Sequence, residues 1–250
     1  MFANLPSPAV IAHRGASAFA PENTLSAFRL AIQQEADAIE MDVKLSADGH
    51  VVVFHDPTVD RTTNGTGRVR ALPLAALKEL DAGIIYDAAF EGERIPTLDE
   101  VFTSLKDQIV LNIELKSRAL NVDPLAQKVA QIVKKHQIAA QLFFSSFNPL
   151  ALRRIHKLLP DVPLGVLAPQ GLLGIWIRTW SSALIPHQSL HLYYKNINQN
   201  LIDQAHRQGR RVFAYTVNNP QDIKDLINLG IDGIFTDDPS LARRTIEKTR

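Results

Sequence analysis

Short apolar runs rich in β-branched residues alternate with longer amphipathic stretches along nearly the whole chain. The runs at 9–12, 38–43, 109–115, 142–145, 163–167, 190–193, 211–216 and 233–236 have the length and composition of buried strands. Between most of them the apolar positions recur with helical spacing. Leu25, Phe28, Ala31 and Ile32 mark one face of a helix over 23–34, and Leu125, Val129, Ile132 and Val133 mark another over 124–136. Residues 201–208 and 221–229 continue the rhythm, the second closed by Gly230 as a C-terminal cap. Strand–helix–strand alternation makes neighbouring strands parallel. Eight such strands in one chain predict an α/β protein, a closed (β/α)8 TIM barrel.

One connection breaks the rhythm. After the second strand, Asp48-Gly49 is a two-residue hairpin signal. It predicts that 51–54 returns antiparallel to the second strand and sets Asp42 opposite His55. From 56 to 106 there is no parallel-strand signal. That span holds a turn-rich run from Asp60 to Gly67, a helix around 74–80, and a Thr97-x-x-Glu100 capping box. We read 56–106 as a small insertion capping the barrel mouth, within a single domain spanning 1–250.

Composition narrows the function. The chain has 250 residues, with 27 Lys+Arg against 26 Asp+Glu, a formal charge of +1 that gives no sequence-independent pull on nucleic acid. Cysteine is absent, which excludes disulfides, zinc-thiolate sites and cysteine nucleophiles, and fits a cytoplasmic location. The first eight residues lack the basic cluster and long apolar core of a secretory signal. The most apolar region, 162–186, is cut by Pro163, Pro169, Arg178 and Pro186, so no stable membrane insertion is expected.

In a (β/α)8 barrel the carboxyl ends of the strands carry the chemistry. Here they carry His13-Arg14-Gly15, Glu40 and Asp42, Glu114 and Lys116, Ser145-Ser146-Phe147, His191, Thr216-Val217-Asn218 and Thr236-Asp237-Asp238. Side chains two apart on a strand share a face, so Glu40 pairs with Asp42 and Glu114 with Lys116. Three acids at one barrel mouth repel unless a cation lies among them. Oxygen-only ligation favours a hard divalent ion, Mg2+ or Ca2+. A structural network with Arg14 and Lys116 as counter-ions is the plainer alternative. With a metal present, those two bases are free to hold an anion such as phosphate. His13 and His55 flank the same group and suit acid/base cleavage of a phosphodiester. Plainer roles stand for the rest: Pro21-Glu22-Asn23-Thr24 as a helix start capped by Asn23 or Thr24, with Glu22 still able to reach the site from the first βα loop, Asn64-Gly65 and Gly67 as turns, and His136, His156 and His206 as surface residues. Asn218, Asp237 and Phe147 lie at strand ends and are candidates to contact the glycerol, or equally to be loop architecture.

An ordered set of motifs runs along the chain: His13-Arg14-Gly15-Ala16, Pro21-Glu22-Asn23-Thr24, Glu40-Met41-Asp42-Val43, His55-Asp56 and Asp60-Arg61-Thr62-Thr63-Asn64-Gly65. It continues with Ile95-Pro96-Thr97-Leu98, Glu114-Leu115-Lys116, Ser145-Ser146-Phe147, Thr216-Val217-Asn218 and the run from Asp232 to Pro239. With these motifs, whose order and spacing hold from residue 10 to residue 240, the sequence resembles the glycerophosphodiester phosphodiesterase family.

The resemblance implies metal-dependent hydrolysis of glycerophosphodiesters, such as glycerophosphoethanolamine or glycerophosphocholine, to sn-glycerol 3-phosphate and an alcohol. By position, His13 and His55 match the family's acid/base pair. Glu40, Asp42 and Glu114 match its metal ligands, and Arg14 and Lys116 its phosphate-contacting residues. Two departures stand out: Tyr215 replaces the commoner tryptophan before Thr216, and 171–186 is unusually apolar. The second raises an alternative, a lysophospholipase D that receives an acyl chain there, with Trp176 and Trp180 touching lipid or covering the barrel. A non-catalytic barrel that binds glycerol phosphates is a third reading, opposed by the presence of both histidines and all three acids.

Overall fold

The computed structural model describes residues 2–117, 124–171, 174 and 185–249. Nine strands form one sheet: β1 (Ala9–Ala12), β2 (Ala38–Leu45), β3 (Val51–Val53), β4 (Val110–Leu115), β5 (Leu142–Ser146), β6 (Leu164–Ala168), β7 (Ser189–Tyr193), β8 (Arg211–Tyr215) and β9 (Gly233–Thr236). β1 pairs in parallel with both β2 and β9, which closes eight strands into a parallel TIM barrel and leaves β3 outside it. The alternation of the sequence thus produces the expected barrel.

Period-2 alternation decides what each strand offers to each side. On β2, Ile39, Met41 and Val43 join the main apolar cluster between barrel and helices, leaving Glu40 and Asp42 on the other face. On β4, Leu111, Ile113 and Leu115 do the same, leaving Asn112 and Glu114. The parallel register sets Glu40 beside Asn112 and Asp42 beside Glu114. A second cluster joins Ala9, Ile11, Ala38 and Val110 to Phe143, Phe213 and Phe235, with Phe2 and Leu5 of the N-terminal segment. The Phe2 ring packs 5.1 Å from Phe143.

The helices α1 (Leu25–Gln33), α2 (Leu74–Glu79) and α3 (Leu98–Leu105) follow in order. Thr24, rather than Asn23, caps α1, accepting from the Ala27 N–H. Thr97 and Glu100 form the expected capping box on α3. The buried side chains of α3 belong to the main cluster, so this part of the 56–106 span packs as barrel layer. A separate small core holds Val52, Phe54, Val59, Val69, Leu77, Ala82 and Ile95. Among the described residues, no helix is long and apolar enough to cross a membrane.

The hairpin register corrects one expectation. β3 does run antiparallel to β2, but Val43 pairs with Val53 and Leu45 with Val51, so Asp42 lies opposite Phe54 rather than His55. The loop has three residues, not two. Gly49 N–H donates to the Ser46 carbonyl while Ser46 N–H donates to His50, and Gly49 takes φ +81°. That is a three-residue turn closed by a left-handed glycine, which the Asp-Gly pair serves as well as it serves a two-residue turn.

Candidate active site

The acids lie where the register sets them. One carboxylate oxygen from each of Glu40, Asp42 and Glu114 lies within 4.8 Å of the others, and all three residues are buried. Arg14 follows β1 in a left-handed conformation (φ 58°) that sends its backbone N–H onto Glu40 Oε2 at 2.9 Å. Gly15 follows at φ +85°, where a Cβ would lie 2.7 Å from the Ala27 backbone; only glycine fits this tight turn against α1. Asn23, also left-handed, donates its amide to Asp42 Oδ2 at 2.9 Å and accepts from the Asp42 backbone N–H at 3.2 Å. Its place in a helix-start motif concealed that role.

Two cations thread the trio. Lys116 Nζ lies 2.8 Å from Glu114 and 3.3 Å from Asp42, and Arg14 Nε lies 3.5 Å from Asp42 Oδ2. Burial works against ionising Asp42, but Lys116 and Arg14 overcome it and hold its carboxyl well below the usual range. Burial and the charge of Asp42 raise Glu114 to about 7 against the pull of Lys116. Glu40 is likewise raised, by burial and then by Asp42 and Glu114. One anionic acid between two reluctant ones is the mark of a group short of positive charge. Asp42 Oδ1 is buried without a hydrogen bond.

The histidines come from different segments and are held alike. His13 Nδ1 lies 2.7 Å from Asp237 Oδ1, and His55 Nδ1 lies 2.7 Å from Asp56 Oδ1. Each ring thus keeps Nε2 for other partners. Ser17 and Asn218 donate to Asp237 at 3.0 and 2.6 Å. Burial opposes the charge of Asp237, yet these bonds, led by His13, bring its carboxyl down to about 2. Burial lowers His55, and Lys116 and Arg14 add to this against the pull of Asp42, which favours a neutral imidazole at neutral pH.

Both histidines line one cavity of about 250 Å³ together with Arg14, Glu40, Glu114 and Lys116. Asp42 belongs to the same cluster through its ion pairs with Arg14 and Lys116. All seven residues singled out from the sequence therefore meet in one place. Phe147 and Tyr215 stack edge to face on the apolar wall at 6.1 Å, and Lys116 Nζ lies 6.0 Å from the Phe147 ring. Tyr215 donates to the Ala168 carbonyl at 2.8 Å. His191 also lines the cavity, yet it is wholly buried beside Phe143, Phe213 and Phe235, and burial lowers it to about 3.

Glu22 reaches the site from the first βα loop as expected, and residues that the sequence did not assign join it. Glu22 accepts from Arg14, while Arg61 bridges Glu22 and Asp56. Asp237 and Asn218, candidates to contact the glycerol, bond to each other, and Asp237 also bonds to His13. His136 is no simple surface residue, since its Nε2 lies 2.9 Å from Asp99 with the ring half-buried. Trp176, Trp180 and most of the apolar 171–186 stretch lie outside the described residues.

A barrel with acids, bases and paired histidines at one end of its strands defines a class, enzymes that act on phosphate esters, and comparison with known proteins narrows it. The family described as the glycerophosphoryl diester phosphodiesterase family matches residues 13–241. A glycerophosphodiester phosphodiesterase of Caldanaerobacter subterraneus subsp. tengcongensis is 42% identical over 241 residues, covering 96% of this chain and 98% of that protein. Another, from Bacillus altitudinis, is 32% identical and covers 96% and 99%. Among solved structures, an Oleispira antarctica phosphodiesterase in complex with the product sn-glycerol-3-phosphate superposes with TM-score 0.87 at 34% identity, covering 96% of this chain and 97% of that one. The chain belongs to the glycerophosphoryl diester phosphodiesterase family, and its activity is that of a glycerophosphodiester phosphodiesterase.

Proposed function

We propose that the chain hydrolyses deacylated phospholipids, such as glycerophosphoethanolamine or glycerophosphocholine, to sn-glycerol 3-phosphate and an alcohol. His13 and His55 act as the acid/base pair, and a divalent cation sits on Glu40, Asp42 and Glu114. The observation that carries this reading is the meeting, in one cavity, of two aspartate-held histidines and a buried carboxylate trio. The solved Oleispira antarctica relative carries sn-glycerol-3-phosphate, which supports that product here.

The donor set fits the cation. Three buried carboxylates, two of them pushed towards protonation and the third with an oxygen, Oδ1, that takes no hydrogen bond and meets only the Lys116 ammonium at 3.3 Å, match a hard ion such as Mg2+ or Ca2+. When bound, the ion supplies Lewis-acid polarisation of a phosphoryl oxygen. The remaining steps belong to the side chains. Arg14 offers a planar fork and Lys116 a point charge to the phosphate oxygens. The two histidines present Nε2 to the substrate, because each Nδ1 is engaged by an aspartate. One takes the proton of the attacking oxygen as the new P–O bond forms. The other delivers a proton to the alkoxide as the old P–O bond breaks, so the alcohol leaves neutral. In this reading the chain is one catalytic domain, and the segment after β3 serves it by carrying His55.

The direct test is release of glycerol 3-phosphate from glycerophosphoethanolamine, with EDTA and then with Mg2+ or Ca2+ restored separately. The reading predicts that EDTA abolishes release and that one cation restores it. Full release in EDTA would remove the cation from the account, and no release with either cation would remove the substrate.

A further inference from the structure

Arg61 lies in the segment after β3, away from the carboxylate trio, with half of its side chain exposed. Its guanidinium nonetheless uses three nitrogens on two acids. Nε donates to Asp56 Oδ2 at 2.5 Å, while Nη1 and Nη2 donate to the two oxygens of Glu22 at 2.8 and 2.7 Å. From these acids two short chains lead inwards. Glu22 Oε1 accepts from Arg14 Nη1 at 2.9 Å, and Asp56 Oδ1 lies 2.7 Å from His55 Nδ1. One side chain therefore ties the loop after β1, which carries Arg14 and Glu22, to the segment that carries His55 and Asp56.

A stabilising role does not account for this. Half-exposed ion pairs add little to folding free energy, because water screens them and ordering long side chains costs entropy. The arrangement is geometrically demanding instead: a planar fork that spans two carboxylates fixes the plane and distance of both. The contrast with His13 is informative. Its aspartate is fixed by Ser17 and by the side chain of Asn218, which donates to the Asp237 carboxylate and accepts from the Asp237 backbone N–H. Asp56 is a chain neighbour of the histidine it holds, and Arg61 supplies its bond from outside the pair.

We propose that Arg61 is a positioning residue that orients His55 through Asp56 and Arg14 through Glu22, making the segment after β3 part of the working geometry of the site. The inference rests on the roles assigned above to His55 and Arg14. It predicts a separable effect. Loss of the Asp56 branch misaligns a proton-transfer group and lowers kcat, whereas loss of the Glu22 branch misaligns a phosphate contact and raises KM.

The test is steady-state kinetics on glycerophosphoethanolamine with saturating cation, for wild type, Arg61→Gln, Asp56→Asn, Glu22→Gln, and Arg61→Gln combined with Asp56→Asn or with Glu22→Gln. Arg61→Gln is expected to lower kcat about tenfold and raise KM about fivefold, within the range for residues that orient a functional group. In the Asp56→Asn background the same change should move only KM; in the Glu22→Gln background, only kcat. Values within about twofold of wild type for folded Arg61→Gln, or full additivity in both double variants, would overturn the proposal. Should Arg61→Gln fail to fold, Arg61→Lys carries the test: one ammonium cannot span both acids, so about a fivefold loss of kcat/KM is expected and wild-type kinetics overturn the proposal. His55→Ala and Arg14→Ala separate the two levels of the argument. If those variants are unimpaired, the catalytic reading itself has failed; if they are impaired while Arg61→Gln is not, only the inference falls.

Discussion

His13 and His55 face one cavity from opposite kinds of structure. His13 follows β1, and its aspartate follows β9, the strand hydrogen-bonded beside it. Asp237 is then fixed by Asn218, which follows β8, and by Ser17 of the first loop. This half of the site is assembled by the closing of the barrel. His55 follows β3, among the described residues the one strand outside the barrel, and is held by its own chain neighbour Asp56, which Arg61 bonds in turn. The same local bond, an aspartate on Nδ1, is therefore built once from distant segments locked by the sheet and once from a local turn clasped by an arginine. The first arrangement is rigid because the fold is; the second is rigid only while its clasp holds.

The comparison breaks most visibly at the aspartates. Replacing Asp237 by asparagine exchanges the carboxylate at His13 Nδ1 for an uncharged amide that can also donate, which no longer holds one tautomer of the ring, and kcat should fall about 100-fold. Asp56→Asn should cost about tenfold in the same assay, the loss expected when the branch from Arg61 to His55 is cut. Equal losses in the two variants would remove the distinction between the halves.

The smallest effect concerns a third histidine, His191, which supplies structure. Its folded pKa is depressed to about 3, so the folded barrel holds it neutral. The unfolded chain takes up that proton below about pH 6.5. Its contribution is therefore complete above that value and lost as pH falls towards 3, by up to about 1.4 kcal/mol per unit. Thermal melts at pH 7 and pH 5 should show a smaller acid-induced drop in midpoint for His191→Gln than for wild type. The same drop in both would show that His191 is not a group the folded state keeps neutral.

What the sequence reveals follows from how local each signal is. The strands were legible because apolar runs and helical periods are local, and the acid trio because alternation along β2 and β4 aims Glu40, Asp42 and Glu114 to one side. The hairpin register was not, since Asp48-Gly49 suits a three-residue loop as well as a two-residue one, and one residue moves Asp42 from His55 to Phe54. Contacts between distant segments left no local signature. Asn23 bonds Asp42, Asp237 bonds His13, and Arg61 joins Glu22 to Asp56, yet each sits in a stretch that reads as a helix start, a strand end or a turn.

The central claim, that His13 and His55 divide proton transfer between them, is tested most directly with two esters. Rates of folded His13→Ala and His55→Ala are compared on glycerophosphoethanolamine and on a glycerol phosphodiester whose alcohol is 4-nitrophenol, a leaving group that departs without an acid. Both variants should lose at least about 100-fold on the first ester. On the second, one of them should recover most of its rate, which identifies the acid, while the other stays impaired. Near-normal turnover of either variant on glycerophosphoethanolamine, or equal losses on both esters, would contradict the account.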